Sequence, residues 1–300
     1  MRIGIIINPV AGGNKGAQVG SEVISLLSKS SHEIKNLSGA SLAEARSNAE
    51  KAIATGAIDA LVVVGGDGMA HLGANVCAGN DVVLAIVPAG TGNDAAMVFG
   101  MAQSDTAKCV AQILEGLANP KQVDAVKVSH DGVSTWALGS ASAGFDALVN
   151  ARANKMTWPN GPMRYYVAML LELASFKPIK YRSVVDGSPR TFEAMLCVVS
   201  NTGVFGGGML VVPDASSNDG YLDVLLVKKM SRLKFVTIFP RVYKGTHVTD
   251  KDVEIFRAET VSIAADGMPI YSDGEYVGQA PFEASVAKHA LRVVAPAIGG

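Results

Sequence analysis

The sequence predicts a two-part α/β protein: an open parallel sheet with helices on its faces, then a domain built mostly of antiparallel strands. Three observations carry this. The apolar runs Ile3–Ile7, Val62–Val64 and Val82–Val87 have almost no polar alternation, as strands covered on both faces do. Each run is followed by a loop of small residues and then a helix-like segment, the order of strand–loop–helix units. Around Gln122 that order stops, and short strand-like runs follow one another with few helices between them. The expected division is an α/β domain over 1–122 and a β-rich domain over 123–300, with the last strand free to return to the first domain.

Composition sets the limits. The 300 residues are 49% hydrophobic and 18% charged with a net charge of −1. That describes a well-cored chain, and no global excess of positive charge points to nucleic acid. The three cysteines, Cys77, Cys109 and Cys197, stand in apolar surroundings without a CxxC pair, which reads as structural thiols in a reducing compartment. No run of some 18 apolar residues is present, and Met1–Ile7 is too short for a secretory core, so a cytoplasmic location is expected.

Taken in order, Ile3–Ile7 is the first strand. It opens into Asn8-Pro9 and a loop of small residues that lacks the GxxxxGK[ST] spacing of a Walker A loop. A helix is expected from Ser41 to Ala54, with Glu44 at capping-box distance from Ser41. Val62–Val64 runs into Gly65-Gly66-Asp67-Gly68. Its glycines let backbone N–H groups approach a ligand, and Asp67 sets a carboxylate beside them. Taken alone, this is equally an ordinary glycine-rich turn. A helix over Ala70–Cys77 follows, and then Val82–Val87 runs into Pro88-Ala-Gly-Thr-Gly-Asn-Asp94. Gly90-x-Gly92-x-x-Ala95 formally fits a dinucleotide fingerprint, but no strand ending in an acid follows about 20 residues later; Asp105–Leu117 reads as a helix. Two successive units ending in small-residue loops imply phosphate binding at the carboxyl ends of the strands.

Beyond Gln122, strands are expected at Val123–Val128, Ser134–Ala141, Lys180–Val185, Ala194–Val199, Leu222–Val227 and Thr260–Ala265. Met163–Phe176 is the helical exception, either a core-packing helix or one bordering a lipid-accepting cleft. The polar turns at Asp214 with Ser216–Tyr221 and at Asp273-Gly274-Glu275 both read as hairpins from their Asp-Gly pairs. A hairpin tip is also a means of presenting one carboxylate.

Asn8-Pro9, Gly65–Gly68, Pro88–Asp94, Gly144-Phe-Asp146, Asn218–Tyr221 and Asp273–Glu275 together resemble the diacylglycerol kinase catalytic-domain family, which includes bacterial lipid kinases and sphingosine kinases. They occur in that family's order along almost the entire chain. The resemblance implies a nucleotide domain like that of phosphofructokinases and NAD kinases, a β-rich sandwich domain, and a cleft between them. It implies an ATP-dependent lipid kinase that phosphorylates a lipid hydroxyl, most simply that of diacylglycerol, with ATP and Mg²⁺. By this resemblance Asn8, Ser38, Gly65, Gly66, Asp67, Gly68, Met69, Ala70, His71, Thr91, Asn93 and Asp94 line the nucleotide. Asp67, Asp94 and Asp124 form an acidic network with Mg²⁺. Asp219, with Ser216 and Tyr221, binds a structural Mg²⁺. Glu275 is the general base, with Asp67 its rival.

Met69 stands where that family usually has Thr, and a thioether cannot donate a hydrogen bond. This keeps two alternatives in view: a kinase of a soluble acceptor, and a nucleotide or lipid sensor with weak turnover. The expected partners are a lipid substrate at the inner membrane surface, with peripheral attachment, and a second copy in a homodimer. Lys155, Trp158, Arg164 and Tyr165 are candidates for the membrane-facing edge.

Overall fold

The computed structural model describes residues 1–159 and 163–298. The chain forms two compact units, one of Met1–Ala125 with Lys288–Gly300 and one of Val126–Ala287. The first unit begins with β1 (Arg2–Ile7), the single turn α1 (Ala11–Asn14), α2 (Gly16–Leu27), β2 (Glu33–Asn36) and α3 (Leu42–Ala54). It continues with β3 (Ala60–Gly65), α4 (Asp67–Cys77), β4 (Val83–Pro88), α5 (Asp94–Val98), α6 (Thr106–Gly116) and the start of β5 (Lys121–His130).

Its strands lie parallel in the order β2-β1-β3-β4. Near the chain's end Arg292–Val293 adds a further parallel segment beside Val83–Leu84. Every residue of β3 and β4 is buried, because helices cover both faces of a parallel sheet. The caps behave as their residue types require. Ser41 Oγ accepts the Glu44 N–H at 3.2 Å while Glu44 Oε2 accepts the Ala40 N–H at 2.8 Å, and Asp105 accepts the Lys108 N–H at 2.9 Å. Helix α4 starts at Asp67, three residues earlier than the apolar pattern indicated, so Asp67 lies in its first turn.

The second unit holds the end of β5, then β6 (Val133–Ala137), β7 (Ser140–Ser142), α7 (Phe145–Lys155), α8 (Met163–Ser175), β8 (Ile179–Val185) and β9 (Ser188–Ser200). After the short pair β10 (Val204–Phe205) and β11 (Met209–Leu210) come β12 (Leu222–Lys228) and α9 (Arg232–Ile238). The unit closes with β13 (Val253–Ala258), β14 (Thr260–Ala264), β15 (Pro269–Ser272), β16 (Glu275–Gln279) and most of β17 (Phe282–Val293). Its pairings are antiparallel. The long strand β9 organises them: its first half pairs with β8, and its second half takes β12 on one side and β7 on the other.

Among the described residues two hydrophobic clusters result. One lies among the strands, around Tyr181, Val199 and Ile263. The other lies under α7, α8 and α9, where Phe145 meets Phe176 and Phe235 edge-on at 5.0 and 5.1 Å. Among the described residues no helix is long and apolar enough to cross a membrane.

Three features depart from the sequence reading. The expected strand Ser134–Ala141 is broken into β6 and β7, because the N–H groups of Leu138 and Gly139 turn to the carboxylate of Asp273. The Asp-Gly turn at Asp219-Gly220 is not a hairpin: β12 pairs with β9 and β13, and Asp219 Oδ1 accepts the Tyr221 N–H at 3.1 Å in a local Asx turn. Helices α7 and α9 were not expected between the strands. Their buried positions, among them Phe145 and Ala147 on α7 and Phe235 and Ile238 on α9, are too few to form a legible stripe.

Candidate active site

In the first unit, parallel pairing of β1, β3 and β4 sets the loops that follow them side by side at their carboxyl ends. Asn8 leaves β1 with its N–H donated to Val64 O at 3.0 Å, and its side-chain oxygen accepts the Val10 N–H at 3.2 Å. Ser38 stands beside it, Oγ accepting the Ile7 N–H at 3.0 Å. The loops after β3 and β4 meet backbone to backbone. A Cβ on Gly66 would come within 3.1 Å of Gly90 Cα, and one on Gly90 would overlap Gly66 itself. Only glycine at both places permits this approach.

The Asp67 carboxylate lies at the same point. Asp67 Oδ1 accepts the Ala95 N–H at 3.3 Å, and a Cβ on Gly92 would lie 2.6 Å from Asp67 Oδ2. Asp94 opens α5 next to it in sequence, and Asn93 ties the loop by accepting the Gly90 N–H at 2.9 Å and donating to Gly90 O at 3.1 Å. Thr91 is exposed at the tip. Helix α4 has Gly66 as its N-cap, which brings no side-chain oxygen to its first turn, and that end of a helix favours anions.

Several predicted residues take other places. Met69 is 2% exposed and its side chain lies against Gly65, inside the turn, while its N–H bonds Gly66 O at 2.9 Å. The His71 ring meets Asn75 one turn along α4, at 3.1 Å. Ala70 is buried in the same helix. Asp124 is fully buried, and its Oδ1 accepts the His289 N–H at 2.8 Å. Among the described residues no group of three or more His, Cys, Asp or Glu stands at metal-ligand spacing.

The loop at Asp219 does not fit a metal as it stands. Its Oδ2 forms an ion pair with Arg257, whose guanidinium also lies 4.6 Å over the Tyr221 ring and 3.8 Å from Asp223. Ser216 Oγ donates to Asn218 at 2.8 Å. The cation at this acidic turn is an arginine supplied from β13. Burial raises the Asp223 carboxyl, the Arg257 charge opposes this, and Asp219 and Asp214 add to the rise.

In the second unit Glu275 is exposed and follows the two-residue hairpin turn Asp273-Gly274, whose φ values of 49° and 83° suit a type I′ turn. Asp273 is the residue that composition alone does not single out. Its Oδ2 accepts the Leu138 N–H at 2.9 Å, and its Oδ1 accepts those of Gly139 and Ser140 at 2.9 and 3.0 Å. Three backbone donors on one carboxylate fix the hairpin tip that carries Glu275. Nearby in the fold, β15 pairs with β7 at Tyr271 and Ser142, and Ser142 Oγ donates to Asp146 at the start of α7. Burial pushes the Asp146 carboxyl up to about 6 against the lowering effect of Ser142, and its Oδ1 is buried without a partner. All three cysteines are buried thiols, and burial pushes Cys77 and Cys109 up to about 12.

Comparison with known proteins identifies the family. Residues 2–128 match the model of the diacylglycerol kinase catalytic domain, and residues 139–295 match the YegS C-terminal NAD kinase beta sandwich-like domain. A diacylglycerol kinase of Mycobacterium tuberculosis is 35% identical over 300 residues, covering 99% of this chain and 96% of that protein. One from Bacillus subtilis is 26% identical over 299 residues, covering 98% and 96%. The crystal structure of a diacylglycerol kinase from Bacillus anthracis shares the fold with a TM-score of 0.74 at 20% identity, covering 99% of this chain and 98% of that one. The chain belongs to the diacylglycerol kinase catalytic-domain family, whose members are phosphotransferases with an alcohol group as acceptor.

Proposed function

We propose that this protein is an ATP-dependent lipid kinase that transfers the γ-phosphoryl group to the hydroxyl of diacylglycerol or a related lipid. The observation that carries the reading is the backbone contact of Gly66 with Gly90, which brings two glycine-rich loops and the Asp67 carboxylate to the N-terminus of α4. Backbone donors there hold the phosphates. A carboxylate beside polyphosphate needs a cation between them, so Asp67 and Asp94 would hold Mg²⁺, which neutralises developing charge on the phosphoryl oxygens. The cradle beside Asp67 Oδ2, which a Cβ on Gly92 would fill, fits this assignment.

Chemistry then requires positioning and one proton transfer. Glu275, fixed by its hairpin, takes the proton of the acceptor hydroxyl as that oxygen bonds to the γ-phosphorus. The bond from the γ-phosphorus to the β,γ-bridging oxygen breaks, and ADP leaves. Asn8 and Ser38 border the nucleotide from the β1 side, with Thr91 at the tip of the β4 loop. The sequence raised a sensor reading through Met69. Its side chain is tucked against Gly65, so the phosphate-facing side of the turn is backbone, which supports turnover.

The test is transfer of labelled phosphate from Mg-ATP to a lipid panel in detergent micelles. Label in one lipid, lost in both Glu275→Gln and Asp67→Asn, is the expected result. Equal transfer to soluble acceptors without detergent, or ATP binding with no transfer to any lipid, would overturn the reading.

A further inference from the structure

The hairpin that carries Glu275 hangs on the short strand β7. Ser140 O accepts the Asp273 N–H at 2.9 Å, the Ser140 N–H bonds the Asp273 carboxylate, and Ser142 pairs with Tyr271 of β15. A strand of three residues has few ladder bonds of its own, so whatever holds its end also holds the hairpin. That end is Ser142, which is buried and whose Oγ donates to Asp146 in the first turn of α7. Asp146 belongs to the Gly144-Phe-Asp146 motif, for which the reaction outlined above has no use.

A carboxylate is a costly group at this place. Burial raises the Asp146 carboxyl to about 6, against the Ser142 bond and backbone donors of the first turn. At neutral pH the folded protein therefore keeps a charge there at the expense of stability. Among the described residues no Lys or Arg pairs with it. Arg152 on the same helix pairs with Glu172 of α8, Arg190 of β9 with Glu254, and Lys234 of α9 with Asp250 and Asp252. The titratable groups on the adjoining strands offer it no proton. Tyr181 on β8 donates its hydroxyl to Ala143 O at 2.8 Å, burial raises the Cys197 thiol of β9, and Tyr271 of β15 bonds Asn154. A Cβ on Gly144 would lie 2.7 Å from the Tyr181 hydroxyl and 3.5 Å from Asp146 Oδ1, so glycine leaves that oxygen its room. Asn or Ser would cap the helix without this cost. A charge retained against stability points to a role in function.

We propose that Asp146 is a positioning residue for Glu275: through Ser142 it fixes the end of β7, and β7 fixes the hairpin that presents the base. Its catalytic consequence rests on the lipid-kinase reading, whereas the brace itself rests on the contacts within the second unit. An ionised Asp146 accepts the Ser142 proton in a charge-assisted bond, about twice as strong as a neutral one. Protonation leaves only the neutral bond, and Asn has the shape and charge of that protonated state. Stability and positioning therefore oppose each other at neutral pH: removing the charge relieves its burial and slackens the brace.

Two readouts test this, each above about pH 7 and below about pH 5, on either side of the Asp146 transition. One is kcat for transfer to lipid in detergent micelles. The other is amide hydrogen exchange over residues 269–279, read by mass spectrometry without nucleotide or lipid. At the higher pH Asp146→Asn should lower kcat and quicken exchange by about tenfold each, with KM for ATP unchanged, although its denaturant midpoint rises. At the lower pH it should match the wild type in both. Ser142→Ala should show the same losses at the higher pH, and Asp146→Asn added to it should lose nothing more. Losses in Asp146→Asn that are equal at both pH values, or that add to those of Ser142→Ala, overturn the proposal. If the wild type labels no lipid, the kinase reading falls and exchange alone decides. A pH-dependent difference in exchange then upholds the brace, and its absence overturns it.

Discussion

Removing the Asp273 carboxylate should loosen the hairpin that carries Glu275 without touching Glu275 itself. In Asp273→Ala the N–H groups of Leu138, Gly139 and Ser140 lose their acceptor, and Leu138 and Ser140 are buried. A hydrogen bond to a charged group contributes about 1.5–3 kcal/mol, and a buried donor left unpaired costs about 1–3 kcal/mol. The three donors share one acceptor group, so their losses do not add fully, and a total of about 3–5 kcal/mol is expected. For a unit of this size that corresponds to a fall in Tm of about 10 °C by calorimetry. Asp273→Asn keeps one oxygen for the Gly139 and Ser140 donors and tolerates the positive φ, so it should lose only about 1–2 kcal/mol. In the kinase assay Asp273→Ala should lower kcat roughly 10–100-fold, since small displacements of a catalytic group are costly, while KM for ATP stays near the wild-type value. A loss below about 1 kcal/mol in Asp273→Ala, or identical behaviour of the Ala and Asn variants, would refute the anchoring argument.

Four further outcomes follow from the same geometry. Asp146 has its carboxyl raised from 3.8 to about 6, chiefly by burial, so the folded protein holds its proton more tightly than the unfolded chain. Its contribution to stability therefore falls as pH rises from about 4 to about 6, and Asp146→Asn should gain up to about 3 kcal/mol over wild type at pH 7 but nothing at pH 3, read from denaturant midpoints at each pH. Gly90→Ala forces a Cβ into the Gly66 backbone and should abolish ATP binding by titration calorimetry, whereas Gly79→Ala, with nothing near its Cβ position, should bind normally despite the strain of its positive φ. Arg257→Ala leaves Asp219 and Asp223 without their cation and should cost about 2 kcal/mol, partly restored by millimolar Mg²⁺ in the variant but not in wild type, as thermal shift would show. Met69→Thr should destabilise by about 1–3 kcal/mol through loss of buried volume while leaving KM for ATP within a few-fold.

What the sequence made legible was what local pattern can carry. The Val-rich strands, the glycine turns after them and the Asp273-Gly274 hairpin all announce themselves within a few residues. What it could not show was which distant groups complete each motif. Asp273 reads as a turn residue because its three N–H partners lie more than 130 positions earlier. Asp219 reads as a cation ligand because Arg257, 38 positions away, is invisible to spacing. Met69 reads as a departure at a phosphate contact because sequence does not say which side of the Gly65 turn faces outward. The apolar period of α8 predicts a helix correctly, but period alone cannot tell an inward stripe from an outward one.

The closing strand has a consequence for how the protein is made. The first unit is sealed by residues near the chain's end: Ala290 O accepts the Gly79 N–H, Val294 N–H bonds Leu84 O, and Leu291, Val293 and Val294 are fully buried there. During synthesis the β4 edge must therefore wait, unpaired and apolar, until the entire second unit has emerged. An exposed parallel edge is open to wrong partners in that interval. The order of assembly is thus inverted along these residues, with the unit begun first completed after the second one, and the glycine loops held by that sheet reach their final form only once the strand that follows the second unit has been made.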